Sequence, residues 1–416
     1  MKGIMTINVV LWGEVIGRMN WDDVRQVATF QFSERYHDLP YNIMPTRPAK
    51  PRPAFLGAAG DKYHGLPPFI ADSLPDHWGS IIFDKWAREK GIQPKDCNPL
   101  LKLAYIGRRG LGALEFVPEI DTANAEAGDL ADLESMAQEI YRKRSEVVIR
   151  EDDRNTFESF ARLGSPPGGA HSKILIAISD RDSSIISGQT DPEEGFTQYI
   201  LKFKEDYEVP SCEIEYVYYL MAKEAGIDMM PSRLIEINGR RHFLTQRFDR
   251  RDGRKLLTQT MAALIPSASD YQNLFFLCRT LGLDESARIE LFRRMCFNVF
   301  AGNTDDHNKN FSFIMHEDGH WELAPAYDIT FTADIWKRSD DDIHSLGIYS
   351  KRCYFSEQDL ISFGEDFEIP EPKTILEEVK NAVSKFSIMA QENGIPQNWI
   401  DRISEVLGKL AKDGNK

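Results

Sequence analysis

Several things are scarce in this chain of 416 residues, and each scarcity closes off a class of protein. Its five cysteines, Cys97, Cys212, Cys278, Cys296 and Cys353, make no C-x-x-C pair and no even framework. That argues against structural zinc and against a disulfide scaffold, and it suits a cytoplasmic protein. No apolar run approaches the ~20 residues of a membrane span. The opening MKGIMTINVVLWGEVIG is broken by Asn8 and Glu14, so it reads as a strand and not as a signal peptide. Positive charge is in deficit: 50 basic against 65 acidic side chains leave a net charge of −15, which gives little support for unaided binding to nucleic acid. Internal repeats and low-complexity tracts are missing too. His307, His316 and His320 are close in sequence, but the last two fall in an expected hairpin turn, so the spacing speaks against zinc.

What is present is enough for two or three domains, because a 42% hydrophobic content supports proper cores. Residues 1–120 hold short strand-like runs such as INVVLW and VATFQF, with the proline-rich connection MPTRPAKPRPAF at 44–55. An acidic, helical segment over 121–150 follows as a connection. Beyond residue 270 apolar residues recur every three to four positions, as in DYQNLFFLCRTLG and PKTILEEVKNAVSKF, which predicts a mainly helical region.

The chemistry concentrates in GNTDDHNKNFSFI (302–314) and LAPAYDIT (323–330). Before them, SARIELFRRMCFNVFAG has the spacing of a helix with one wide buried face, ended by Gly302. Within them, NFSFIM and HWELAP are strand-like runs joined by HEDG, and an Asp-Gly pair is a strong hairpin signal. The order is therefore helix, loop with Asp305 and Asn310, hairpin, and loop with Asp328. Phosphoryl transfer needs one carboxylate to orient the attacking hydroxyl, and a second carboxylate with an amide oxygen to hold magnesium. Asp305 and Asn310 have the D-x-x-x-x-N spacing of a kinase catalytic loop, with a hairpin before the next Asp. The competing reading is that Asp and Asn collect in loops because they hydrogen-bond locally, and the spacing alone is common.

A kinase also requires a glycine loop and an anchoring lysine upstream. LGSPPGGAHSKILIAI (163–178) opens with Pro and Gly and runs into a strand beginning at Lys173. TQYILKFKED (197–206) reads as a strand with Lys202 and Lys204 on one face, and Lys202 sits in the more apolar context. An edge strand using lysines against aggregation would look the same. CEIEYVYYLMAKEAGI (212–227) predicts a helix with Glu213 and Glu215 in its first turn; Glu215 suits pairing with the strand lysine, and simple capping explains it equally.

The combination GGAHSK, YILKF, the EY pair opening a helix, QRFDRR (246–251), GNTDDHNKNFSF and LAPAYD resembles the HipA family of bacterial serine/threonine kinases, toxins of type II toxin–antitoxin systems. The resemblance implies an α+β fold: a strand-rich N-terminal subdomain (1–120), the helical connection (121–150), a kinase upper lobe with glycine loop (151–262) and a helical lower lobe (263–416). It implies ATP and Mg2+ as cofactors. Asp305 would be the catalytic base, with His307 near the transferred phosphate and Asn310 and Asp328 on magnesium. Gly168, Gly169, Ala170, His171, Lys173 and Lys202 would contact the nucleotide, and Gln246, Arg247 and Phe248 would form the hinge that receives adenine. The target would be a protein of the translation machinery, an aminoacyl-tRNA synthetase being the leading kind, with growth arrest or persistence as the outcome. Restraint would come from a HipB-like helix-turn-helix antitoxin, and DNA would be reached only through it. Two other classes stay open. One is a small-molecule kinase of the aminoglycoside phosphotransferase type, which usually has H-G-D where this chain has N-T-D. The other is a non-catalytic nucleotide-binding regulator.

The family's inhibitory autophosphorylation serine falls, counting back from Gly169, at Pro166, with Ser165 one residue away. Phosphate on Ser165 would add about two negative charges beside a loop that cradles phosphates, and would expel it. The expected result of intact-mass measurement after incubation with ATP and Mg2+ is one added phosphate on the wild type and none on Ser165→Ala. Equal phosphate on both would rule the switch out.

Overall fold

Alternating burial along the first strands builds one face of a core. In the computed structural model, which describes residues 4–46, 55–57, 62–120, 129–143, 171–188, 194–333 and 344–413, β1 (Thr6–Leu11), β2 (Glu14–Asp22), β3 (Val27–Phe32), β4 (Phe55–Leu56) and β5 (Leu114–Val117) form an antiparallel sheet. Its order is β4-β3-β2-β1-β5. Ile7, Val9 and Leu11 point inward from β1, as a period of two requires.

A second antiparallel sheet contains β6 (Lys173–Ser179), β7 (Ile185–Ser187), β8 (Phe196–Lys202), β9 (Ser232–Ile237) and β10 (Arg240–Gln246), in the order β7-β6-β8-β10-β9. One face of it carries Ile174, Ile176, Leu201 and Leu244. These pack in a single cluster with Trp78, Phe83 and Trp86 of the helix His77–Glu89 and Tyr105 of the helix Pro99–Ile106. Leu133, Met136 and Ile140 of the helix Leu130–Lys143 join the same cluster. The helix expected as a connection is thus a component of this core.

The chain divides into two compact units. The first comprises Met1–Glu205, Ile235–Gln259 and Ile314–His320 and contains both sheets' cores; the second comprises Asp206–Leu234, Thr260–Phe313 and Trp321–Lys416 and is mainly helical. Ile314–His320, placed by sequence with the lower lobe, groups with the first unit, and the helix Ser211–Glu224, placed with the upper lobe, groups with the helical unit. In that unit Tyr218 is fully buried and donates its hydroxyl to the Ala301 carbonyl at 2.6 Å. Phe275, Phe363 and Phe367 of the same unit pack ring against ring, with centroids 4.5 to 5.1 Å apart. The strand-rich first unit and helical second unit make the α+β class expected.

The first unit also buries charge. Asp249 accepts from Arg247 Nε at 2.9 Å, Arg247 Nη2 at 2.8 Å and Arg250 Nη1 at 2.8 Å. Gly112 N–H completes the set at 2.6 Å, while Arg247 Nη1 and Arg250 Nη2 reach the carbonyls of Gly188 and Gly110 at 2.8 and 3.1 Å. These bonds lock the loop before β5 to the chain that follows β10. Burial alone would raise the Asp249 pKa, but the two guanidinium charges and the Gly112 N–H outweigh it and hold the carboxyl well below the usual range. Such a group stabilises the fold above its unfolded pKa of about 3.9 and loses that contribution as pH falls further. Asp249→Ala should therefore lower stability by about 3–5 kcal/mol near neutrality, because two buried cations lose their counter-ion. Urea unfolding checks it: the gap between wild type and variant should narrow below about pH 4.

Candidate active site

The helix Glu285–Phe300 delivers the D-x-x-x-x-N loop. Asp284 caps its start, accepting from Ala287 N–H at 3.2 Å, and its apolar face buries Leu291, Phe292, Met295, Cys296, Val299 and Phe300. Gly302 ends it at φ +64°, where a Cβ would also meet Ala333, Leu410 and Phe331 at 3.1 to 3.3 Å. Glycine is required there on both counts.

After the turn, Thr332 Oγ1 accepts from the N–H groups of Thr304 and Asp305, at 2.7 and 3.1 Å. Asn310 Nδ2 donates to the Asp305 carbonyl at 2.9 Å, and Asn310 N–H donates to the His307 carbonyl at 2.9 Å. Because the amide nitrogen is committed inward, Oδ1 is the Asn310 atom left to meet a cation. The Asp305 side chain is 37% exposed, and its Oδ2 lies 4.0 Å from His307 Nε2. Its neighbour Asp306 is buried, with its carboxylate taken up by Tyr271 and the N–H of Ser345, so Asp305 is the acid of the pair able to meet a substrate hydroxyl.

The hairpin Ser312–Met315 and Trp321–Leu323 follows as the sequence indicated, and the His316 and His320 rings in its turn stack at 3.9 Å. Beyond it Tyr327 OH donates to the Lys309 carbonyl at 2.7 Å and lies 2.6 Å from Ser312 Oγ, which ties the YD segment to the D-x-x-x-x-N loop. Asp328 adopts φ +52°, a left-handed conformation that Asp tolerates better than most residues and that turns the chain at the expected metal ligand. Hard oxygen donors of this kind suit magnesium.

In the first unit, Lys173 and Lys202 are direct partners across β6 and β8, and Phe243 is the partner of Lys202 across β10. Opposed residues share a face, so all three lie opposite the helix-packed core. Lys202 Nζ sits 5.8 Å from the Phe243 ring centroid. Lys204 is not in the strand as expected: β8 ends at Lys202, and Lys204 N–H donates to His242 Nδ1 at 3.0 Å. His171 Nδ1 lies 2.9 Å from Glu205 Oε2, whose other oxygen accepts from Ser172 N–H at 2.5 Å. Burial would raise the Glu205 pKa, yet His171 and the Ser172 N–H hold it below the ordinary value.

Of the residues expected at the hinge, Arg247 has its side chain engaged within the protein. Arg247 is buried, and its guanidinium is spent on Asp249 and Gly188, while its N–H donates to the Gln198 carbonyl at 2.9 Å. These bonds take up both the guanidinium and the N–H of Arg247. Gln246 is the last residue of β10, and Phe248 lies between Arg247 and Asp249. Ser165, Gly168, Gly169 and Ala170 lie outside the described residues.

Sequence reasoning missed Thr332, Tyr327 and Asp306 as supports of the loop. Thr332→Val should destabilise the protein by about 1–3 kcal/mol, since a buried and a part-buried amide N–H lose their acceptor. Thr332→Ser should retain most of the wild-type stability in thermal unfolding, because it keeps the oxygen.

Comparison with known proteins identifies relatives of this chain. The HipA-like C-terminal domain matches residues 165–386, and the HipA N-terminal domain matches residues 7–117. A putative kinase of Sinorhizobium fredii, Y4mE, is 27% identical over 352 residues, covering 79% of this chain and 78% of its own. The serine/threonine-protein kinase toxin HipA of Shewanella oneidensis is 21% identical over 384 residues, covering 83% and 81%. Among solved structures, the complex of Shewanella oneidensis HipA with HipB and operator DNA superposes with a TM-score of 0.65 at 15% identity, covering 97% of this chain and 96% of that one. Among the described residues no helix is long and apolar enough to cross a membrane. With both domain models matched in order, and the first of them spanning more than half of the sequence, the chain belongs to the HipA family of kinases.

Proposed function

We propose that this protein is an ATP-dependent serine/threonine-protein kinase and a toxin of a toxin–antitoxin pair. The observation that carries the reading is the single loop in which Asn310 bonds the Asp305 carbonyl while Asp305 itself faces outward, followed by the hairpin and the left-handed Asp328. Asp305 orients and deprotonates the acceptor hydroxyl, and His307 stands beside it toward the transferred phosphate. Asn310 Oδ1 and the Asp328 carboxylate hold magnesium, which supplies charge neutralisation on the phosphates when bound. Lys202 meets the phosphates, with Lys173 beside it on the same face, and the resemblance adds Gly168, Gly169, Ala170 and His171 as nucleotide contacts. Gln246 and Phe248, with the Arg247 carbonyl, form the adenine hinge.

The target, on the family resemblance, is a protein of the translation machinery, with an aminoacyl-tRNA synthetase the leading kind. A HipB-like helix-turn-helix antitoxin restrains the kinase and brings it to DNA. The Shewanella oneidensis relative assembles with HipB and operator DNA, and a net charge of −15 favours indirect contact here.

Asp305→Asn should lower phosphoryl transfer by about 10²- to 10⁴-fold, the usual worth of general-base catalysis, and leave ATP affinity largely intact. Asp328→Asn should weaken magnesium-dependent nucleotide binding as well, because a neutral amide holds the cation less firmly. Transfer of labelled phosphate measured beside calorimetric titration with ATP separates the two; wild-type transfer by Asp305→Asn removes that residue from the mechanism. Purified chain alone should show no specific operator binding at physiological salt. Specific binding with a steep salt slope would contradict the indirect route to DNA.

A further inference from the structure

The two adjacent aspartates of GNTDDH occupy opposite environments. Asp305 is partly open to solvent, whereas the Asp306 side chain has no exposed surface at all. Asp306 Oδ2 accepts from Tyr271 OH at 2.6 Å and lies 3.0 Å from His344 Nδ1. A carboxylate only accepts, so this bond calls for the His344 tautomer that donates from Nδ1. Asp306 Oδ1 accepts from Ser345 N–H at 2.8 Å and from Leu346 N–H at 3.4 Å. The Tyr271 hydroxyl in turn accepts from Asn298 Nδ2 at 3.0 Å, and Asn298 Oδ1 accepts from Asn303 Nδ2 at 2.9 Å.

Four donors therefore converge on one buried carboxylate, and the chain of bonds runs back through Tyr271 into the last turns of the helix Glu285–Phe300 and to the loop's own Asn303. Burial, reinforced by the Asp306 charge, pushes the Tyr271 phenol well above its ordinary pKa, which keeps it a donor. The segment that Asp306 holds is gripped from its other side as well: Arg352 donates to the Ser345 carbonyl, and His344 N–H donates to the Arg352 carbonyl at 2.9 Å. Ser345 N–H also reaches the Thr304 carbonyl at 3.1 Å. A carboxylate this dry is costly unless every acceptor site is used, and in a connected network each bond strengthens its neighbours. Such a cluster has one low-energy arrangement, and the residue next to it in the chain inherits that rigidity.

We propose that Asp306 is a positioning residue for phosphoryl transfer, tying residues 344–346 to the loop that carries Asp305 and Asn310 and so fixing where the base points. The proposal rests on the kinase reading above. It assigns Asp306 no contact with nucleotide or acceptor, so removing it should act on the step that depends on alignment and spare ATP binding.

Asp306→Asn is the sharpest variant, because the amide has the same shape but removes the charge and replaces one of the two acceptor oxygens by an NH2, so the four donors can no longer all be accepted. Its kcat for transfer should fall about 10²-fold, the usual effect of a misplacement near 1 Å, with the KM for ATP unchanged. Tyr271→Phe, which leaves three of the four donors, should lower kcat less, and the double variant should fall little further than Asp306→Asn alone. Hydrogen exchange in the same variants should show faster exchange at the Ser345 and Leu346 amides while global unfolding stays cooperative. A wild-type kcat in Asp306→Asn, or a raised KM for ATP at unchanged kcat, would overturn the proposal. Should Asp306→Asn fail to fold, Tyr271→Phe decides by the same split between kcat and KM. A wild type that transfers no phosphate defeats the kinase reading instead; the tether is then judged by exchange alone, and unchanged Ser345 and Leu346 amides would sink it.

Discussion

The hydrogen bond from the Asn310 side chain to the Asp305 carbonyl is the constraint around which the proposed chemistry is arranged. It closes a loop of six residues between a buried helix and a buried strand. One amide thereby has its nitrogen committed to the main chain and its oxygen left for a cation, and one carboxylate is held at the surface of the loop. Supports converge on this turn from several directions: Thr332 satisfies two N–H groups at its start, Tyr327 holds the Lys309 carbonyl near its end, and Asp306 fills the space beneath. Preorganisation of this kind is what a transition state with little covalent demand on the protein calls for.

In the first unit the corresponding device is a buried ionic cluster. Arg247, Asp249 and Arg250 join the loop at Gly110 and Gly112 to the chain leaving β10, so the ends of β5 and β10 are tied by the same bonds. Buried ion pairs of this type add less stability than their number suggests, because desolvation offsets most of the attraction. Their geometry is what they contribute: planar guanidinium groups meet carboxylate and carbonyl oxygens in fixed directions. The Lys173, Lys202 and Phe243 face of the second sheet is set by strand register in the same unit.

Much of this was legible in the sequence where the signal was local. The helix ending at Gly302, the D-x-x-x-x-N spacing and the Asp-Gly hairpin all lie within about one short stretch of chain, and they occur where the pattern put them. QRFDRR was harder, because Arg247 and Arg250 are explained by Gly110, Gly112 and Gly188, far away in the chain. The same holds for Asp306: it is chemically identical to Asp305 and adjacent to it, and only the packing of Tyr271 and His344 tells them apart. Lys204 was misplaced because strand ends are set by where hydrogen bonding stops, which composition does not encode. The grouping of Ser211–Glu224 with the helical unit likewise follows from contacts such as Tyr218 to Ala301 that span the sequence.

The central claim is that this loop transfers phosphate to protein. Purified chain incubated with γ-labelled ATP, Mg2+ and a cell lysate tests it most directly. The account predicts label on serine or threonine of a discrete protein, identified by mass spectrometry. Label found only in free phosphate or on a small molecule would contradict it.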